Sequence, residues 1–191
     1  MSTNEKIILA SASPRRRELL MRAQVAFDIV HSGLDEVRDP GEGVRDYALR
    51  MARDKAQAVS RRHPHRVVLA ADTVVECAGA ILEKPADGAD AVRMLTTLSG
   101  QTHTVVTAFA LARDGRIIEA QAVASRVTFR ELKRGEIDAY IATGEPFDKA
   151  GAYGIQGIGG GFIAAVEGSR DNVMGLPVEE VMVALKRHGV I

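Results

Sequence analysis

Short apolar runs alternate along this chain with longer stretches in which apolar residues recur every three or four positions. The first pattern suits strands and the second amphipathic helices, because side chains repeat every two residues along a strand and every 3.6 along a helix. The runs predict strands at Ile7–Ala10, Phe27–His31, Val67–Ala71, Val74–Cys77, Thr104–Ala112, Arg116–Thr128 and Phe162–Glu167. The periodic stretches predict helices at Pro14–Gln24, Val44–Arg61, Ala89–Leu98, Glu131–Thr143 and Val178–His188. The last is punctuated at both ends: Pro177 opens it, Lys186, Arg187 and His188 fill its final turn, and Gly189 ends it. Arg113-Asp114-Gly115 lies between two long strand runs and reads as a hairpin turn, which makes the sheet mixed rather than all parallel. Strands and helices alternate without repeat, low-complexity tract or linker, the pattern of an α/β domain.

Composition narrows the function classes. At 191 residues the chain can bury a substantial core, as one domain or as two lobes sharing a sheet. A hydrophobic content of 46% is that of a soluble globular protein. Twenty-five basic residues cancel twenty-five acidic ones and only 4% of residues are aromatic, which argues against nucleic acid and membrane surfaces as partners. Any anion site must therefore be local. The single cysteine, Cys77, excludes an internal disulfide and a Cys-rich zinc site and suits a reducing, cytoplasmic compartment. The first ten residues carry one lysine and a short apolar run, so neither a signal peptide nor a membrane span is expected there.

Four places break the structural pattern. In Ser11-Ala12-Ser13-Pro14-Arg15-Arg16-Arg17, Ser13 reads as an N-cap and Pro14 as the first helical residue. A helix N-terminus carries partial positive charge and favours carboxylates, yet three arginines stand there. Either an anion sits among them, or the arginines point into water with Glu18 nearby. Asp72 closes the apolar run Val67–Ala71, with Thr73 beyond it, at the strand end where open α/β sheets collect ligands. It reads as a metal ligand or a general base rather than a turn former, since Val74 and Val75 continue as strand. Lys55 falls on the apolar stripe of the helix Val44–Arg61, four residues from Met51 and Val59. There it either snorkels outward or reaches a negative group. Lys84, before Pro85, is a similar candidate. Finally, Gly144–Gly161 holds seven of the chain's 18 glycines, interleaved with Lys149, Tyr153 and Gln156. Gln156 offers both a donor and an acceptor, which suits reading the edge of a base. Gly159 to Ala164 fits GxGxxA, but a strand-like run follows instead of a helix, so a dinucleotide site is rejected.

No Walker A sequence, GxSxG elbow, HExxH or cysteine pair is present. The histidines, His31, His63, His65, His103 and His188, lack ligand spacing, and His63-Pro64-His65 reads as a solvated helix exit.

Taken in order, Ser11-Ala12-Ser13-Pro14-Arg15-Arg16, Ala71-Asp72-Thr73-Val74-Val75, Glu83-Lys84-Pro85, Leu98-Ser99-Gly100, Gly144-Glu145-Pro146 through Gly161, Gly168-Ser169 and Asn172 to Pro177 resemble the Maf family. The resemblance spans nearly the whole chain. It implies an elongated α/β fold, a mixed sheet flanked by helices with a central cleft, like the inosine triphosphate pyrophosphatases. It also implies a single domain of two lobes, a divalent cation (Mg²⁺ or Mn²⁺), frequent homodimers, and hydrolysis of nucleoside triphosphates to monophosphate and pyrophosphate. By the same resemblance Asp72 is the catalytic proton acceptor and shares the metal with Glu36. Ser11, Ser13, Arg15, Arg16, Lys55 and Lys84 cradle the triphosphate. Arg15, Thr73 and Gln156 resemble the positions that separate subfamilies by substrate, and Thr73 with the stretch Lys149 to Gly157 resembles the branch acting on dTTP and UTP.

Overall fold

The computed structural model describes residues 6–191, so the first half of the segment read against a leader peptide lies outside the described residues. The strands are β1 (Ile7–Leu9), β2 (Phe27–Ile29), β3 (Val68–Cys77), β4 (Ala80–Leu82), β5 (Thr102–Arg113), β6 (Arg116–Phe129) and β7 (Ile163–Glu167). The helices are α1 (Pro14–Arg22), α2 (Val44–Arg62), α3 (Gly88–Leu98), α4 (Arg134–Ala142), α5 (Arg170–Met174) and α6 (Val178–Arg187). Hydrogen bonds order the sheet β2-β1-β3-β5-β6-β7, with β4 paired to β3 off that path. The sheet is mixed, as the hairpin signal requires: β1 runs parallel to β2 and β3, whereas β3–β4 and β6–β7 are antiparallel. Among the described residues no helix is long and apolar enough to cross a membrane.

The chain divides into two compact units, and β3, β5 and β6 each contribute to both. The first comprises the segment through Asp72, Thr107–Val123 and Gly175–Ile191. In it β1 lies between two parallel neighbours and buries Ile7, Ile8 and Leu9 completely, which is why its sequence is apolar without alternation. Helix α2 buries two rows of residues spaced by four, Tyr47, Met51, Lys55, Val59 and Ala48, Ala52, Ala56, Ser60. The α2 face also grips the β5–β6 turn. Asp114 and Gly115 both adopt left-handed φ, 51° and 73°, as a two-residue hairpin turn demands. Gln57 Nε2 donates to the Gly115 carbonyl and the Gly115 amide donates to Ser60 Oγ, each at 3.0 Å. At the end of α6, Arg187 and His188 both reach Glu119.

The second unit comprises Thr73–Val106 and Ala124–Met174. Its core joins the buried face of α3 (Ala91, Met94, Leu95, Leu98) to Val127, Phe129, Ile137, Tyr140, Tyr153 and Phe162. The aromatic rings meet edge to face, with Phe129–Tyr153 centroids 4.7 Å apart and Tyr140–Phe162 centroids 5.0 Å apart, the arrangement favoured by ring quadrupoles. The glycine-rich stretch forms three 3-10 turns, Glu145–Asp148, Ala150–Ala152 and Ile158–Phe162. Strand β7 follows directly, which supports rejecting a dinucleotide motif.

Several expected boundaries differ. The runs Val67–Ala71 and Val74–Cys77 are one strand, β3, which passes through Asp72 and Thr73 without a break. Aspartate is depleted in strands, yet β3 lies inside the sheet, between β1 and β5, and stays extended through this position. Helix α4 begins at Arg134 rather than Glu131, because Glu136 turns its carboxylate back to the Lys133 amide (3.0 Å) and sets the N-terminus there. Strands β2 and β7, helix α1 and helix α6 are one or two residues shorter than read. Strand β4 and helix α5, only three and five residues long, had no periodic signal to find.

Candidate active site

Helix α1 begins as its cap residues dictate: Ser13 adopts extended φ/ψ, and its Oγ accepts from the Arg16 amide at 3.5 Å. Ser11 Oγ accepts from the Ser13 amide and from Arg16 Nη1, both at 3.2 Å. No acidic residue lies in the first turn. The arginine run therefore splits. Arg17 is exposed, as the solvated alternative expects, whereas Arg16 turns inward and its Nε donates to the carbonyl of Gly175 at 2.7 Å. Gly175 has φ +115°, a conformation that L side chains rarely adopt. Gly175 lies in the stretch Asn172 to Pro177, where nothing in the local sequence marks it as a partner for Arg16. Burial lowers the Arg16 pKa, opposed by the charges of Asp72 and Glu36, so this cation lies within the field of both carboxylates.

Those carboxylates meet at Lys55. Its ammonium donates to Asp72 Oδ1 at 2.6 Å and also to Glu36 Oε1. Lys55 is 5% exposed and Asp72 7%, whereas the Glu36 side chain is 40% exposed. Of the two outcomes left open for Lys55, the structure takes the second: the residue stays in the helix stripe and reaches a buried negative group. Burial raises the Asp72 pKa above the ordinary carboxylate value. Lys55 and Arg16 pull the other way and Glu36 adds to the rise. A buried aspartate of this kind is a better proton acceptor than a solvated one. Asp72 is also internal to β3, not at a strand end as read from sequence. A carboxylate in mid-strand is held more rigidly than one on a loop.

The first unit thus brings together Ser11, Ser13, Arg16, Glu36, Lys55 and Asp72, with Arg15 half-buried next to Arg16. Thr73, Lys84 and Gln156 belong to the second unit, where Thr73 is half-buried in β3 and Lys84 and Gln156 are exposed. Lys149 does not extend from the glycine-rich stretch. It folds back on it, with Nζ 2.5 Å from the Glu145 carbonyl and 2.6 Å from Asp148 Oδ1. Tyr153 is core, its hydroxyl 2.7 Å from His103 Nε2.

The donor set can be compared with the divalent cation that the sequence leads one to expect. Among the described residues no three His, Cys, Asp or Glu side chains cluster as a complete metal cage. Two carboxylates do converge, Asp72 and Glu36, and both supply hard oxygen donors. Mg²⁺ commonly binds through one or two carboxylates together with substrate phosphates and water, so this pair fits a metal that arrives with its nucleotide. Asp72, Glu36, Lys55 and Arg16 sum to zero formal charge.

The chain matches the family described as Maf-like protein over residues 6–188. It is 49% identical over 194 residues to a Geobacter metallireducens protein named dTTP/UTP pyrophosphatase, covering 100% of each chain. It is 50% identical over 184 residues to a Myxococcus xanthus protein of the same name, covering 96% of this chain and 93% of the relative. Among solved structures, a HAM1 protein from Coxiella burnetii superposes with a TM-score of 0.52 at 14% identity, covering 95% of this chain and 98% of that one, a likeness of fold alone. A family match over almost the whole length, with the motif residues Ser11, Arg16, Lys55 and Asp72 gathered at one place, establishes that this chain belongs to the Maf family.

Proposed function

We propose that this chain hydrolyses dTTP and UTP to the nucleoside monophosphate and pyrophosphate, removing unwanted nucleotides from the pool. The observation that carries the reading is the buried Asp72 carboxylate held by Lys55 beside Arg16 and Ser11, in a chain half identical to relatives named for that reaction.

The chemistry follows from the charges. A triphosphate brings several negative charges to a cluster that is already neutral. Arg15 and the amides and hydroxyls at the α1 N-terminus offset part of them, and Arg16 offers its fork to phosphate oxygens. Asp72 accepts a proton from the attacking water as its oxygen bonds to the α-phosphorus. The bridging P–O bond to the β-phosphate breaks, and pyrophosphate leaves with the electron pair. Lys55 holds the Asp72 carboxylate in place through this proton transfer. A divalent cation bound by Asp72 and Glu36 would neutralise phosphate charge and lower the pKa of bound water. Thr73, Lys84 and Gln156 remain in the proposal as substrate contacts, supported by the family resemblance. A homodimer rests on the same ground. A cytoplasmic setting is supported by the free, buried Cys77.

The test is a nucleotide panel with Mg²⁺ or Mn²⁺, quantifying monophosphate and pyrophosphate. Release of pyrophosphate from dTTP and UTP, reduced by several orders of magnitude in Asp72→Asn, is the expected result. Preference for a purine nucleotide would overturn the substrate assignment but keep the reaction. Full activity in Asp72→Asn would overturn the role of that residue.

A further inference from the structure

The glycine-rich stretch is built around a carboxylate that the reaction above does not use. Glu145 follows α4 and turns inward rather than toward water. Its Oε1 accepts from the Tyr140 hydroxyl at 2.9 Å and from the Gly159 amide at 3.3 Å, and its Oε2 accepts from the Ile158 amide at 2.9 Å. Tyr140 is itself buried, and its hydroxyl also accepts from the Gly154 amide at 3.3 Å. Burial pushes the Glu145 carboxyl up, but the amides of Ile158 and Gly159, the Tyr140 hydroxyl and Lys149 together hold it below its ordinary value. It is therefore ionised and a full acceptor at neutral pH.

The chain wraps this group so closely that side chains are excluded. A Cβ built at Gly157 overlaps the Glu145 carboxylate, and one at Gly159 stands 2.7 Å from the Tyr140 hydroxyl. The glycines here serve close approach to a carboxylate and a hydroxyl, a different use from the phosphate or dinucleotide loops that glycine-rich sequences usually suggest. Gln156 is exposed immediately before the pinned residues, with Ile155 buried on its other side. The position of the Gln156 amide is thus set by the segment Gly157–Gly159, and that segment is set by Glu145.

We propose that Glu145, backed by Tyr140, is the positioning residue that holds residues 154–159 in the shape that presents Gln156 to the base of the nucleotide. The inference deepens the proposed function and rests on its reading of Gln156. Glu145 touches no substrate. Its effect passes through the backbone, so it governs which nucleotide is accepted rather than how fast the anhydride is cut.

The experiment compares wild type, Glu145→Ala, Glu145→Gln and Gln156→Ala. Steady-state kinetics with dTTP, UTP, CTP and GTP are measured beside amide hydrogen exchange of Ile158 and Gly159. In Glu145→Ala the KM for dTTP and UTP is expected to rise about tenfold, with kcat changing less than threefold. The pyrimidine-to-purine ratio should fall in parallel with Gln156→Ala, and the Ile158 and Gly159 amides should exchange at least tenfold faster. Glu145→Gln keeps one acceptor oxygen and is expected to recover part of both effects, which a variant that fails for lack of folding would not do. Unchanged amide exchange in Glu145→Ala overturns the proposal. So does a wild-type nucleotide ratio in Glu145→Ala when Gln156→Ala has lost it. If Gln156→Ala itself keeps the wild-type ratio, the base-reading assignment fails instead. Amide exchange then decides: faster exchange supports Glu145 as the organiser of the segment, and retained protection overturns it.

Discussion

His103 should make this protein acid-sensitive in a defined window. The residue lies on β5, 2% exposed, with its ring edge-on to Phe129 and Tyr153 and its Nε2 2.7 Å from the Tyr153 hydroxyl. Nδ1 is buried without a hydrogen-bond partner. A protonated imidazole needs two acceptors, and this site offers at most one, so burial lowers the pKa from 6.5 to about 4. The folded pKa lies below the unfolded one. Between them the unfolded chain binds a proton that the folded chain does not, and stability falls as pH falls from 6.5 toward 4. At about 1.4 kcal/mol per pKa unit the whole window is worth about 3 kcal/mol, of which about 2 kcal/mol is lost between pH 7 and pH 5. Urea unfolding of wild type and His103→Phe at half-unit steps from pH 4.5 to 7.5 isolates the effect, since all other titrations are common to both. The variant carries a constant penalty for the Tyr153 hydroxyl left without its partner. The difference between the two proteins should shift by about 2 kcal/mol between pH 7 and 5, toward the variant. A flat difference would refute the reasoning and mean that His103 finds a second acceptor when protonated.

Three other perturbations follow from the site. Asp72→Asn, inactive by the mechanism above, should melt no lower than wild type by more than a few degrees: the ionised Asp72 is buried with a raised pKa, so its charge works against folding at neutral pH. Lys55→Met should destabilise by about 3 kcal/mol in urea unfolding, because Asp72 and Glu36 then face each other without their shared cation. That deficit should shrink as pH is lowered and Asp72 protonates; a deficit independent of pH would count against the shared-cation account. Arg16→Lys keeps the charge but cannot reach both Ser11 Oγ and the Gly175 carbonyl from one planar group. A rise in KM of about tenfold with a smaller change in kcat is expected, and an unchanged KM would show that the fork is not needed for phosphate binding.

Much of this architecture was legible because it depends on short stretches of chain. The rows of α2, the Ser13-Pro14 start of α1 and the Asp114-Gly115 turn each encode their geometry within a few residues. Helix α5 was not legible, since five residues barely exceed one turn and cannot show a 3.6-residue period, and strand β4 is a three-residue return from the Ala78-Gly79 turn that owes its form to pairing with β3. The break read at Asp72 failed for a related reason. An aspartate in the middle of a strand goes against local preference, and the strand runs on through it because β3 lies inside the sheet, between β1 and β5.

For the candidate site the division is sharper. From sequence alone came the residue types and their order: a cationic helix start, a carboxylate in an apolar run, a lysine on an apolar stripe and a glycine-rich stretch. Their chemistry depends on what each one faces, and the facing groups are far apart in the chain. Lys55 meets Glu36 and Asp72, Arg16 meets the carbonyl of Gly175, and Glu145 meets the amides of Ile158 and Gly159. Local pattern fixes which way a side chain leaves its own helix or strand, because backbone geometry repeats over a few residues. Whether a charge then finds water, a partner or an empty wall is decided by long-range packing. That is why the raised pKa of Asp72, the lowered pKa of His103 and the inward turn of Glu145 belong to the tertiary structure alone.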